Sequence, residues 1–161
     1  MIDEMASDPS DVDFGILFAL AYRCYVDHLH THLAEQGFTP VRSAFGPVLR
    51  ALRRRPTSLT ALAGELGITK QAVARVVEDM RAAGLVEQTP DPADGRARVL
   101  SLTPRGGRMV AAAIAIGTGY EATLADELGP RQARALRQGL EAMVRRAGAA
   151  ADLAARRVRG L

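Results

Sequence analysis

Residues 58–102 read SLTALAGELGITKQAVARVVEDMRAAGLVEQTPDPADGRARVLSL, and the order of residue types here decides the fold. Ser58 is a capping residue ahead of a short apolar stripe, Leu62, Ala63 and Leu66. Gly67 follows, the residue type that takes a left-handed backbone at a helix end without a Cβ clash. Ile68 plugs the turn and Thr69 caps a second helix. In that helix Val73, Val76, Val77 and Met80 fall at i, i+3, i+4 and i+7, one buried face. The opposite face carries Thr69, Lys70, Gln71, Ala74 and Arg75, which are short or polar, two of them cationic. Gly84 closes the helix, and Leu85 and Val86 begin a strand. TPDPADG is a turn-rich tip, and Ala97 to Leu102 alternate as a returning strand.

Helix, tight turn, helix and a hairpin with a basic tip make a winged helix-turn-helix. The expected fold class is all-α with a small β-hairpin wing, flanked by dimerisation helices. The polar face of the second helix has what the major groove of duplex DNA demands: phosphate anchors beside donors that reach base edges.

The segment LAGELGITKQAVARVVEDMRAAGLVEQTPDPADGRARVLSLTPRG resembles the DNA-binding core of the MarR (multiple antibiotic resistance regulator) family. Its most specific pieces are Asp94-Gly95-Arg96, similar to the family's D-x-R wing, and Leu102-Thr103-Pro104-Arg105-Gly106, similar to its L-T-x-x-G lead into the next helix. The close match covers about residues 58–107; the flanking helices match in order and length. The resemblance implies a homodimer that binds a near-palindromic double-stranded operator, a repressor released by a small, often aromatic ligand. It also implies that Arg96 reaches the minor groove or its bordering phosphates while Asp94 steadies the loop. The expected DNA-binding set is therefore Ser58, Thr69, Lys70, Gln71, Ala74, Arg75, Asp94, Arg96 and Arg98. By the same resemblance, a crevice between the dimerisation helices and the DNA-binding lobe takes the ligand, lined in this chain by Tyr25, His28, Phe45 and Leu49. Three positions depart from the family pattern. Ala61 stands where an acidic residue is frequent, which removes a capping box. Ala74 replaces a usual hydroxyl residue before the helix arginine, and Gly95 replaces a frequent wing arginine.

At 161 residues the chain is expected to be one domain spanning residues 1–161. The lobe is assigned to residues 40–102 and the dimerisation helices to 11–36 and 104–155. Apolar residues make up 48% of the chain, but no run is long enough to cross a membrane. The start, MIDEMASDPSD, is acidic and unlike a signal peptide, and one cysteine makes no disulfide framework. A soluble, cytoplasmic protein without membrane partners or cofactors is expected. Charge is unevenly spread. Residues 1–49 hold two arginines against seven acids, residues 50–108 eleven cations against six acids, and residues 109–161 eight against five. The cations thus concentrate on the winged stretch, as a DNA footprint requires.

Ser10 with Asp13 three residues on reads as a capping box for a long helix from about Asp11 to Gln36. It is apolar on most sides from Phe14 to Val26, as expected of a helix buried between subunits. Pro47 predicts an irregular approach to the next helix, with regular structure from Pro47 to Arg54. Thr103 and Pro104 start another long helix, to about Leu128; Gly129-Pro130 breaks it, and a last helix carries Ala133, Leu136, Leu140, Met143 and Ala147 at helical spacing.

Two constellations keep alternatives open. His28 and His32 share a helix face and could touch one metal, with Cys24, Asp27 or Glu35 nearby, although histidines in a pocket or at the surface are the plainer reading. Cys24 reads as a buried structural thiol, with redox sensing as its rival. The alternatives to a ligand-released repressor are thus a redox- or metal-sensing variant, or a winged-helix protein-interaction module that does not bind DNA. There is no nucleophile motif, phosphate loop or H-E-x-x-H pair, so catalysis is not expected.

Overall fold

The computed structural model describes residues 12–91, 98–149 and 151–152. The helices are α1 (Phe14–Glu35), α2 (Phe45–Arg54), α3 (Leu59–Leu66), α4 (Lys70–Ala82), α5 (Pro104–Leu128) and α6 (Pro130–Arg146). Strands β1 (Val86–Pro90) and β2 (Arg98–Leu102) lie between α4 and α5. They pair antiparallel, Val86 opposite Leu102 and Pro90 opposite Arg98. This is the expected all-α fold with a two-stranded wing. Ser10, the wing tip with Asp94 and Arg96, and the basic tail lie outside the described residues.

Local chemistry sets most of the boundaries. Asp13 caps α1: its Oδ1 accepts from the Gly15 N–H at 2.7 Å and the Ile16 N–H at 3.1 Å. The helix therefore starts at Phe14 rather than Asp11. Helix α2 starts two residues earlier than expected, at Phe45. Pro47 is its third residue, where a missing N–H removes no intrahelical bond. The lead-in is irregular: the Thr39-Pro40 peptide is cis, the Phe45 N–H bonds to the Arg42 carbonyl at 2.9 Å, and Ala44 offers no side-chain cap.

The core runs through one lobe. Leu33 and Phe38 meet Phe45, Val48, Leu49 and Leu52 of α2, Leu62 and Leu66 of α3, and Val73, Val77 and Met80 of α4. Leu85, Leu100 and Met109 close the cluster. Among the described residues every buried apolar side chain lies between Leu33 and Val110, and α6 buries none. Thr57 makes an isolated antiparallel bridge to β2: its N–H donates to the Leu100 carbonyl at 3.1 Å, and its own carbonyl accepts from the Leu100 N–H at 2.8 Å.

The hinge between wing and α5 is tightly closed. The Thr103 hydroxyl donates to the Gly84 carbonyl at 2.6 Å and accepts from the Gly106 N–H at 3.0 Å. The Thr103 N–H donates to the Leu85 carbonyl at 3.1 Å. A Cβ at Gly106 would collide with that same Leu85 oxygen and come within 3.0 Å of its carbon. The glycine of the Leu102–Gly106 run is thus required by close backbone approach. Arg105 secures the junction, donating to the Gly37 carbonyl at 2.8 Å with its guanidinium over the Phe38 ring.

Gly106→Ala is expected to destabilise the protein by about 1–3 kcal/mol, the range for forcing extra volume into a packed site. Gly107→Ala is the control, because nothing lies within 4 Å of a Cβ there and alanine favours a helix. Urea unfolding of the two variants checks this; equal midpoints would refute it.

Candidate nucleic-acid interface

Two caps and one turn aim α4. The Ser58 hydroxyl accepts from the Ala61 N–H at 3.2 Å, and the Thr69 hydroxyl from the Ala72 N–H at 3.2 Å. Gly67 sits at φ +69° between the helices, the left-handed geometry its missing Cβ permits. With Val73 and Met80 fully buried and Val77 nearly so, the rotation of α4 about its axis is set. Lys70, Gln71 and Arg75 are then exposed and Ala74 is half-buried among them. Lys70 and Arg75 have no side-chain partner among the described residues. By contrast Arg42 is held by Asp79 at 2.6 Å, Arg81 by Glu78 at 3.0 Å, and Arg54 by Glu65. Lys70 and Arg75 are therefore available for phosphate or base contacts.

Arg98, the first residue of β2, is exposed opposite Pro90 at the outer end of the wing ladder. Ser58 is half-buried and serves the α3 cap. Asp94 and Arg96 lie outside the described residues. Leu59, not singled out from the sequence, joins Thr69, Lys70, Gln71 and Ala74 in lining a shallow depression on this surface. Its spacing with Leu62 and Leu66 marks it as core, and its inner side does pack there.

The four residues expected to line a ligand crevice do not come together. Phe45 is 1% exposed and Leu49 5%, both embedded in the lobe core, so neither lines an open crevice. The cavity that holds His28 lies between α1 and α5, about 510 Å³, lined also by His32, Ile116, Tyr120, Thr123, Leu124 and Glu127. Tyr25 stands beside it with its ring edge-on to Tyr120, centroids 5.3 Å apart, and His28 is 5.0 Å from the same ring. Tyr120 joins these α1 side chains across 92 or more residues of sequence, a pairing that no local pattern carries. His32 Nδ1 lies 2.8 Å from the His28 carbonyl, and the two imidazoles are 4.0 Å apart. Among the described residues no group of three or more His, Cys, Asp or Glu side chains is placed to hold a metal. Cys24, read from sequence as buried, is exposed in the single chain because it lies on the uncovered side of α1.

This geometry defines a winged helix-turn-helix DNA-binding protein. A sequence model described as the MarR family matches residues 46–97. An uncharacterized protein of Mycobacterium tuberculosis (strain ATCC 25618 / H37Rv) is 30% identical over 111 residues, 69% of this chain and 76% of its own. A transcriptional regulator from Thermotoga maritima is 26% identical, with a TM-score of 0.57 over 81% of this chain and 92% of that one. The transcriptional repressor CouR, solved bound to a 23-mer DNA duplex, is 25% identical, with a TM-score of 0.64 over 82% of this chain and 92% of its own. The chain belongs to the MarR family of transcriptional regulators, which are not enzymes. No helix among the described residues is long and apolar enough to cross a membrane.

Arg75→Ala is expected to weaken binding to selected DNA by about 1–3 kcal/mol if Arg75 reads a guanine. Its melting temperature should stay at the wild-type value, since the side chain is exposed and off the apolar face. Fluorescence anisotropy with a thermal melt separates the two effects; undiminished affinity would reverse the assignment of faces.

Proposed function

We propose that the protein is a homodimeric, sequence-specific repressor acting in the cytoplasm, released from its operator by a small aromatic or acidic ligand. The observation that carries the DNA-binding part is the uncommitted Lys70–Gln71–Arg75 face on a helix whose rotation is set by buried Val73, Val77 and Met80. On this reading Ser58, Thr69, Lys70, Gln71, Ala74 and Arg75 meet the major groove and its phosphates, while Asp94, Arg96 and Arg98 serve the wing. Residues 40–102 form the DNA-binding lobe, and 11–36 with 104–155 join the subunits. The protein-interaction alternative has no comparable use for unpaired cations on this face.

A second copy is the occupant that the uncovered helices suit. Phe14 is 77% exposed and Leu20 52%, and Met143 on α6 is 51% exposed. A groove of about 730 Å³ between α5 and α6, lined by Leu124, Leu136, Leu140 and Val144, adds further uncovered apolar surface. A soluble monomer rarely tolerates so large a patch. Two recognition helices about 34 Å apart then match successive major grooves, so the operator is a near-palindrome.

The α1–α5 cavity suits the ligand. Tyr120 offers a face for stacking, and His28 and His32 offer nitrogens to a carboxylate or phenol oxygen. Both helices that wall the cavity are assigned to the subunit junction and α5 leaves directly from the wing, so a guest that changes their spacing shifts the lobes and disfavours the DNA-bound form. A coupling of about 1–3 kcal/mol gives a 5–150-fold change in affinity.

Selection from a random DNA pool tests the central reading, and an inverted repeat is the expected product. Light scattering at micromolar concentration should give twice the 17.2 kDa chain mass. Leu17→Asp, at a position 44% exposed in the single chain, should give a folded monomer with weakened operator binding; a wild-type monomer would refute the dimer. Titrating phenols and aromatic acids into the complex should release DNA from wild type and not from Tyr120→Ala. Failure of the whole panel on wild type would remove the ligand and leave the DNA-binding assignment standing.

A further inference from the structure

The polar face of α4 has an apolar spot at its centre. Leu59 from α3 and Ala74 from α4 form its floor, and Thr69, Lys70 and Gln71 stand around it. Leu59 and Ala74 are both half-buried, whereas the three rim residues are exposed. The lining is almost wholly carbon, although the surroundings are hydroxyl, ammonium and amide. The α4 spacing explains the arrangement: Lys70 and Gln71 precede Ala74 by four and three residues, so all three share one face. A longer or hydroxyl-bearing side chain at position 74 would fill or wet the spot.

Charge complementarity determines what approaches this face. Lys70, on the rim, and Arg75, beside it, are cations without side-chain partners among the described residues, and they draw in a polyanion. The major groove of DNA presents one methyl group, at C5 of thymine, in a landscape of donors and acceptors. On the neighbouring edge of the same A·T pair lie adenine N6 and N7, the pair of groups that a glutamine amide takes up in bidentate fashion.

We infer that the Leu59–Ala74 depression is a specificity subsite for the 5-methyl group of a thymine in each operator half-site, with Gln71 on its rim reading the paired adenine. This rests on the DNA-binding reading above and goes beyond it by naming a base and the atoms that select it. The methyl leaves water for a carbon-lined floor, and deoxyuridine at the same position leaves that floor exposed to water. Arg75 and Lys70 supply affinity around the subsite, and the depression supplies discrimination. A cytosine, which lacks the methyl and presents a donor at N4, is disfavoured there.

The experiment begins with DNA selected from a random pool by the full chain. Each invariant thymine of the selected half-site is then replaced singly by deoxyuridine, a change that removes only the methyl. One such position should weaken binding about fourfold, the factor for one methyl group buried. 5-Bromodeoxyuridine, whose halgen-sized substituent refills the floor, should restore it. Ala74→Ser, a substitution on the outer side of α4, should bind the thymine and deoxyuridine DNAs to within about a factor of two of each other. Selected half-sites without an invariant thymine, or deoxyuridine tolerated at every position while specific binding persists, would overturn the subsite alone. No selected sequence at all would overturn the DNA-binding reading with it. Discrimination that survives unchanged in Ala74→Ser would move the methyl contact elsewhere and overturn the assignment.

Discussion

One main-chain oxygen, that of Leu85, holds the geometry of the lobe. It accepts the Thr103 N–H and lies against Gly106 so closely that no Cβ fits between them. The end of α4, both strands of the wing and the start of α5 converge on this point. Thr103 completes it by bonding Gly84 with its hydroxyl and capping α5 with the same oxygen. The direction in which α5 leaves the lobe is thereby tied to the turn that ends α4. Arg105, one residue earlier than the glycine, reaches the end of α1 at Gly37 and Phe38. Lobe and long helices are therefore coupled through hydrogen bonds and a stacked cation rather than through loose packing.

The parts of the fold written in local pattern were legible in the sequence. The i, i+3, i+4, i+7 spacing of Val73, Val76, Val77 and Met80, the caps at Ser58, Thr69 and Thr103, and the break at Gly129-Pro130 each name an element, because a cap or a buried stripe acts within one or two helical turns. The α4 polar face followed from the same periodicity. What stayed hidden depends on contacts between distant residues. Asp13 turned out to be the cap of α1 rather than a residue inside its first turn, a choice between neighbouring polar residues that spacing alone does not make. The family resemblance puts Phe45 and Leu49 in a ligand wall, yet the lobe needs them as core. The cavity wall comes from Tyr120 and its neighbours on α5, and nothing in the local sequence of α1 points there.

The histidine pair shows the limit of motif reading. Spacing places His28 and His32 on one face, and their rings do lie together, centroids 4.0 Å apart and tilted by 38°. The geometry nevertheless engages His32 Nδ1 with the His28 carbonyl, and no third ligand-type side chain among the described residues completes a metal set with them. The same two rings, with Tyr120, make an aromatic wall instead.

The confinement of all described buried apolar side chains to the span from Leu33 to Val110 has a thermodynamic consequence. Helix α6, with no buried residue of its own, has little intramolecular burial to offset its conformational entropy. In a dimer its stability belongs to the association equilibrium, and apparent stability in such a system rises with protomer concentration. For the proposed dimer, abundance acts twice on occupancy of its operator, once by forming the two-headed species and again by supplying it to the DNA. Dilution of the protein, as after cell growth outpaces its synthesis, would lift regulation more steeply than a one-to-one binding curve allows.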